Sequence, residues 1–263
     1  MNGWLCYNET GAEKNAWFID RLIREAEKRG ISLSLKIIKG FPFTFDCLPD
    51  FAIVRFICPL LNDYFQSHGV RVFNNALTAR VACDKWLTYQ FLSDNGMPVL
   101  ETELCFHQTM SFPLVAKSRD GHGGNEVFWV ENEPALEKVK NTLGCTDFIV
   151  QKPSDILGKD MRVYAVGGEI IACVLRTAKT DFRSNFSLGG SVTLVQADEK
   201  QKKLVKQLYE LLHFDFVGID FLPTKNGWVI NEIEDSAGAR MLYSLSDMDI
   251  ACTMIEHVQK TLL

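Results

Sequence analysis

The chain has no C-x-x-C pair, no H-x-x-x-H spacing and no G-x-S-x-G elbow, although it holds eight cysteines and five histidines. These absences exclude a zinc site, a disulfide framework and a Ser-His-Asp hydrolase. The cysteines at 6, 47, 58, 83, 105, 145, 173 and 252 are scattered, and Cys6, Cys58, Cys173 and Cys252 sit among apolar neighbours. Scattered thiols of this kind imply a reducing compartment, so a cytoplasmic location is expected. Positive charge is not in excess. Lys and Arg total 28 against 33 Asp and Glu, for a net −5, so neither nucleic acid nor an anionic membrane is an expected partner. Long hydrophobic runs are missing too. Ile170–Leu175 is among the longest, far short of the roughly 20 residues that span a bilayer. Met1-Asn2-Gly3-Trp4 has neither a basic region nor an apolar stretch behind it, and no signal peptide is expected. With 47% hydrophobic and 23% charged residues over 263 positions, the composition is that of a globular protein.

What is present is an ordered series of elements. Over the first eighty residues, short apolar strands at Leu5–Tyr7, Ser32–Ile38, Phe51–Arg55 and Val70–Phe73 alternate with helical patterns at Asn15–Arg29 and Pro59–His68. Such alternation predicts a small parallel α/β lobe over residues 1–80. A helix from Leu77 to Ser93 then runs into the turn Asn95-Gly96-Met97-Pro98. Strands at Phe112–Lys117, Glu126–Val130 and Asp147–Gln151, with a helix at Pro134–Leu143, form a second lobe over 81–150. From 151 to 263 the pattern becomes rich in hairpins. Arg162–Val166 and Ile170–Arg176 flank Gly167-Gly168, the helix Glu199–Leu212 follows, and Phe216–Leu222 and Trp228–Ile233 flank Lys225-Asn226-Gly227. The expected fold is α/β and α+β: one small parallel lobe followed by two α+β lobes.

Two segments carry chemistry. Ser118 to Asn125 holds Gly121, Gly123 and Gly124 between two strands. Glycine lets backbone amides close on a phosphate, and a strand–glycine loop–strand covers the triphosphate in protein kinases and ATP-grasp enzymes. The loop lacks the G-K-[ST] ending of a P-loop and leads into no helix, so it is neither a P-loop nor a Rossmann turn. On this segment alone, an ordinary hairpin loop explains the glycines equally well. The second segment is more specific. Asp220 lies inside the apolar strand Phe216–Leu222, where an unpaired carboxylate is costly. Glu232 and Glu234 lie two apart on the next strand, hence on one face, and the short connection sets that strand beside Asp220. Converging carboxylates of this kind suit a hard cation such as Mg²⁺. Lys117, Arg176, Lys179 and Arg183 flank these segments in chain order, and phosphoryl transfer depends on such charge.

In this order the motifs resemble the ATP-grasp superfamily, and within it the RimK-like group of ribosomal-protein glutamate ligases. Asp84-Lys85-Trp86-Leu87-Thr88 with Gly96-Met97-Pro98 is similar to that group's D-K-x-x-T … G-x-P. Gln151-Lys152-Pro153 stands at its adenine linker, Gly158-Lys159-Asp160-Met161-Arg162 at its G-x-D-I-R, and Asp181-Phe182-Arg183-Ser184-Asn185 with Gly189-Gly190 at its D-F-R-S-N … G-G. The resemblance implies two α+β lobes clamping Mg-ATP, with Mn²⁺ as a second fitting cation. It implies an acylphosphate route that joins a small carboxylate to an amine. Catalytic and phosphate roles fall to Lys117, Arg183 and Asn185, with Lys85, Gly121, Gly123, Gly124 and Ser184 around the phosphates. Gln151, Lys152 and Pro153 would line the adenine, Asp160 the ribose or a neighbouring group, and Asp220, Glu232 and Glu234 the metal. Arg55 and Arg240 are expected near the substrate carboxylate, and homo-oligomers are common among relatives. The chain departs from the group at Glu234, where the metal motif E-V-N-x-S-P-G has asparagine, and at Ala237, where it has proline. The alternatives are a nucleotide-binding regulatory protein with a degenerate site and a small-molecule kinase. The compact length argues against a large ribosomal-protein substrate.

Overall fold

The computed structural model describes residues 1–121, 126–144, 148–179, 181–183 and 190–263. Strands β1 (Asn2–Tyr7), β2 (Ser32–Ile37), β3 (Phe51–Val54) and β4 (Arg71–Phe73) form a parallel sheet in the order β2-β1-β3-β4. Helices α1 (Glu9–Lys14), α2 (Ala16–Glu27) and α3 (Pro59–Ser67) connect them. The apolar spacing that predicts α2 is the face it buries, through Phe18, Ile19, Leu22 and Ala26.

The expected helix from 77 to 93 is in fact two, α4 (Ala76–Ala82) and α5 (Lys85–Asp94). Asp84 takes an extended conformation between them, and its carboxylate accepts hydrogen bonds from the backbone N–H groups of Trp86 and Leu87. It is therefore an N-cap rather than a helical residue. A second, antiparallel sheet runs β5-β8-β6-β7, from β5 (Thr102–Leu104), β6 (Leu114–Ser118), β7 (Val127–Val130) and β8 (Phe148–Gln151), with α6 (Glu133–Leu143) beside it. The third sheet runs β11-β10-β9-β12-β13, from β9 (Lys159–Val166), β10 (Glu169–Thr177), β11 (Ser191–Val195), β12 (Phe216–Thr224) and β13 (Gly227–Glu234). Helices α7 (Glu199–Leu212), α8 (Arg240–Leu245) and α9 (Ile250–Leu262) complete it. No helix among the described residues is long and apolar enough to cross a membrane.

Packing divides the chain differently from the sequence pattern. Leu5 and Phe51 of the first sheet and Leu22 of α2 share one core with Tyr164, Phe216, Met254 and Ile255 of the third lobe. Leu92 and Met97, expected in the second lobe, are buried against Val163, Ile219 and Ile233 of the third sheet. The sheet β5-β8-β6-β7 keeps its own core, including Leu114, Val130, Leu136 and Phe148.

Candidate active site

Between the second and third sheets lies a cleft enclosing about 880 Å³ of empty space. Strand β6 delivers Lys117 to it. All five residues of β6 are buried, so the lysine ammonium has been carried out of water and needs acceptors. Its Nζ donates to Oε1 of Gln151 at 2.7 Å and to Oδ1 of Asn231 at 2.8 Å. Neither partner is charged. Burial pushes the ammonium down to about 8, and Lys85 pushes the same way, while Glu232, Asp220 and Asp160 push back. Gln151 is held in turn, its Nε2 donating to Thr102 Oγ1 at 3.0 Å.

Strands β9, β12 and β13 supply the carboxylates. Asp220 stands opposite both Arg162 and Glu232 in register, and oxygens of Asp220, Glu232 and Glu234 lie within 4.8 Å of one another. Arg162 grips two of the three. Its Nε and Nη2 donate to Asp220, and its Nη1 and Nη2 donate to Glu234 at 2.7 Å each. Arg176 bridges Asp220, at 2.9 Å from Nη2, to both oxygens of Asp160. Burial alone would raise the pKa of Asp220, but the two arginines outweigh it and hold the carboxyl well below the ordinary range. Gly218 makes this grip possible. A Cβ there would meet Ala237 Cβ at 2.8 Å and Arg162 Cδ at 3.1 Å.

Whether this set suits a divalent cation is a matter of lone pairs. An ionised carboxylate offers about four acceptor positions. Asp220 receives three N–H groups and keeps one position on Oδ1. Glu234 receives two and keeps one on each oxygen. Glu232 accepts no hydrogen bond among the described residues. Each of the three carboxylates therefore keeps at least one oxygen with an open position, and the donor set fits a hard cation.

The cleft brings together Lys85, Lys117, Gly121, Gln151, Lys152, Pro153, Asp160, Arg183, Asp220, Glu232 and Glu234. Lys85 donates from Nζ to the carbonyl of Gly121, which ties α5 to the glycine loop. Arg183 is paired with Asp181 at 2.8 Å. Gly123, Gly124, Ser184 and Asn185 lie outside the described residues. Asp160 lines the cleft and is held by a two-pronged pair with Arg176. Arg55 turns away from both cavities described here, and its Nη2 donates to Ala237 O at 2.7 Å while the guanidinium lies over Phe216. Arg240 is exposed and donates to Lys14 O. Sequence reasoning had no view of Asn231, nor of Arg162 as the clamp on the carboxylates. The two-residue spacing of Asp160 and Arg162 is the signal that puts both on one face of β9.

A second cavity of about 830 Å³ adjoins the first and shares Lys85, Glu232 and Glu234 with it. Cys83, Arg119, Asp235 and Ser236 line its far part. Arg119 is paired with Asp84. Asp235 is 5% exposed; burial pushes its carboxyl up to about 6, and Arg55 offsets this only in part.

Comparison with known proteins gives three findings. Residues 82–258 match the family model described as a RimK-like ATP-grasp domain. A probable alpha-L-glutamate ligase of Histophilus somni is 30% identical over 218 residues, covering 78% of this chain and 73% of the relative. A glutamate–LysW ligase of Sulfurisphaera tokodaii is 28% identical, covering 74% of this chain and 75% of its own length. Among solved structures, a D-alanine–D-alanine ligase of Bacillus anthracis complexed with ATP superposes with a TM-score of 0.74 at 14% identity, covering 100% of this chain and 97% of that one. That last likeness is one of fold.

Proposed function

We propose, on the premise that this chain belongs to the RimK-like ATP-grasp family, that it joins a small carboxylate to an amine in two steps through an acyl phosphate. The protein is an ATP-grasp ligase that forms C–N bonds. A carboxylate oxygen of the acid attacks the γ-phosphorus of ATP, giving an acyl phosphate and ADP. The amine nitrogen then attacks the acyl carbon and phosphate leaves, so the product is an amide.

The observation that carries this reading is the meeting of two cavities at one cluster, Lys85, Glu232 and Glu234. One cavity holds the nucleotide, with its triphosphate toward Lys117, Lys85 and Arg183. The other admits the substrates to the same border. Asp220, Glu232 and Glu234 would hold a Mg²⁺ ion, or Mn²⁺ in its place, which would supply positive charge to the phosphate oxygens there. Lys117, already buried and partnered by neutral groups, gains a charged partner when phosphate arrives. The backbone of Lys152 and Pro153 borders the nucleobase, while the Lys152 ammonium is drawn off to Ser111. All seven described cysteines are free, which supports a reducing, cytoplasmic setting.

The names of the relatives make L-glutamate the first substrate to test. It carries both a carboxylate and an amine. Incubation with ATP, Mg²⁺ and L-glutamate, alone and with each other amino acid, is expected to release ADP and phosphate in equal amounts. Hydroxylamine should intercept the acyl phosphate as a hydroxamate. A stable phosphorylated product without free phosphate indicates a kinase, and nucleotide binding without turnover indicates a regulatory protein. Either result contradicts the ligase reading.

A further inference from the structure

We propose that Asp235 anchors the amino group of the amine substrate, taken up as an ammonium from the second cavity; this rests on the ligase reading above. The acyl phosphate has to form where the phosphates meet the carboxylate cluster, at the border formed by Lys85, Glu232 and Glu234. With the nucleotide filling the first cleft, the second cavity gives the amine a route to the acyl carbon. On that side Asp235 is the carboxylate still without a cation. Asp220 and Glu234 are both held by Arg162, and Glu232 belongs to the metal set.

The surroundings of Asp235 make its retention hard to explain by stability. It is 95% removed from solvent, the complement of its 5% exposure, and enters no ion pair among the described residues. The backbone N–H groups of Ser236 and of its own residue favour its charged form, as does the Arg55 guanidinium. Arg55 nevertheless spends its Nη groups on carbonyls, Asp235 O at 3.4 Å and Ala237 O at 2.7 Å, and its buried Nε has no hydrogen-bond partner among the described residues. A buried carboxylate without a cation is destabilising. Its charge is felt within the cavity, where burial, then Asp84 and then Asp235 raise the pKa of the Cys83 thiol.

The loop is also fixed in place. Asn74 Nδ2 donates to Asp235 O at 3.1 Å and Tyr164 Oη donates to Gly238 O at 3.1 Å, so the carboxylate is presented by a rigid backbone. A primary ammonium supplies the cation this site lacks, with up to three donors. It then gives one proton to water in the second cavity, which frees the nitrogen lone pair that attacks the acyl carbon as phosphate leaves. Arg119 and Lys85 give the same cavity a positive wall, which suits an amine that also carries a carboxylate.

The test separates the amine from the acid. N-acetyl-L-glutamate has no ammonium and serves only as the acid, with either hydroxylamine or L-glutamate as nucleophile. Neutral hydroxylamine does not need the anchor. Asp235→Asn is expected to keep hydroxamate formation within about threefold while its KM for L-glutamate as amine rises roughly 30-fold, with kcat changing less. Asp235→Ser, smaller and still polar, is measured beside it, and an unchanged ATP-induced thermal shift shows that each variant is folded. An unchanged KM for the amine, or equal loss of both reactions, overturns the anchor. Absence of hydroxamate from the wild type instead overturns the ligase reading itself.

Discussion

Lys117 and Asp235 are two buried charges whose environments push in opposite directions, and each makes a pH-dependent prediction. Lys117 is lowered to about 8. Below that pH the free protein holds the ammonium that a triphosphate needs. Above it the side chain is neutral, and binding must draw a proton from solvent. ATP affinity is therefore expected to fall as pH rises through 8, by up to about tenfold per unit. Calorimetry in buffers of different ionisation heat should register proton uptake, and Lys117→Met should abolish it. A flat affinity from about pH 7 to 9.5 contradicts this account.

Asp235 has the reverse sign. Its folded pKa, about 6, exceeds the ordinary 3.8, so the folded state binds this proton more tightly than the unfolded chain. Stability is full below the unfolded value and is lost as pH rises through the folded one, by about 3 kcal/mol in all. Relative to wild type, Asp235→Asn should thus grow more stable between about pH 4.5 and 7, as urea midpoints would show. A constant difference across that range would mean that Asp235 is not buried as a carboxylate. Of the residue-scale site, the cluster of Asp220, Glu232 and Glu234 is legible in the sequence because strand periodicity and a short hairpin fix their face. The arginines that grip them are not, because Arg162 and Arg176 reach Asp220 only once β9 has paired with both β10 and β12.

At the scale of elements, the break between α4 and α5 sets the position of Lys85. Helical spacing continues through residues 77–93 and predicts one helix. The stronger local effect is Asp84, which satisfies two orphan N–H groups and also pairs with Arg119 of the glycine loop. Asp84→Ala should destabilise the protein by about 1 kcal/mol and raise KM for ATP, since Lys85 and the loop lose their shared anchor. Thermal unfolding and steady-state kinetics check both, and an unchanged KM would separate the cap from the site. The missed elements have identifiable causes. β5 is three residues long, and α1 buries no side chain, so neither has a periodicity to read. Helix α9 does have one: Asp249 caps it, and Ile250, Met254, Ile255 and Val258 recur on one face.

For the whole molecule, the first sheet and the third lobe are one packing unit. The sequence shows three segments of different pattern, but it does not show that Leu5 and Ile255 belong to a common core. Such contacts join distant parts of the chain, and no local spacing encodes them. Ile255 is fully buried, and Ile255→Ala should cost about 2–5 kcal/mol. Because the core is shared, Trp4 fluorescence in the first sheet and far-ultraviolet dichroism should lose structure together in that variant. Two separated transitions would mean that the lobes are independent.

The central claim is that nucleotide and metal are held together where the two cavities meet. Thermal unfolding with ATP plus Mg²⁺, with ATP and a chelator, and with neither tests it most directly. At about a hundred times its dissociation constant, a ligand adds roughly 2.7 kcal/mol, a shift of several degrees for a chain of this size. The full shift is expected to require both ATP and Mg²⁺ and to be lost in Glu232→Gln. A shift of equal size with the chelator present, or none under any condition, would contradict that claim.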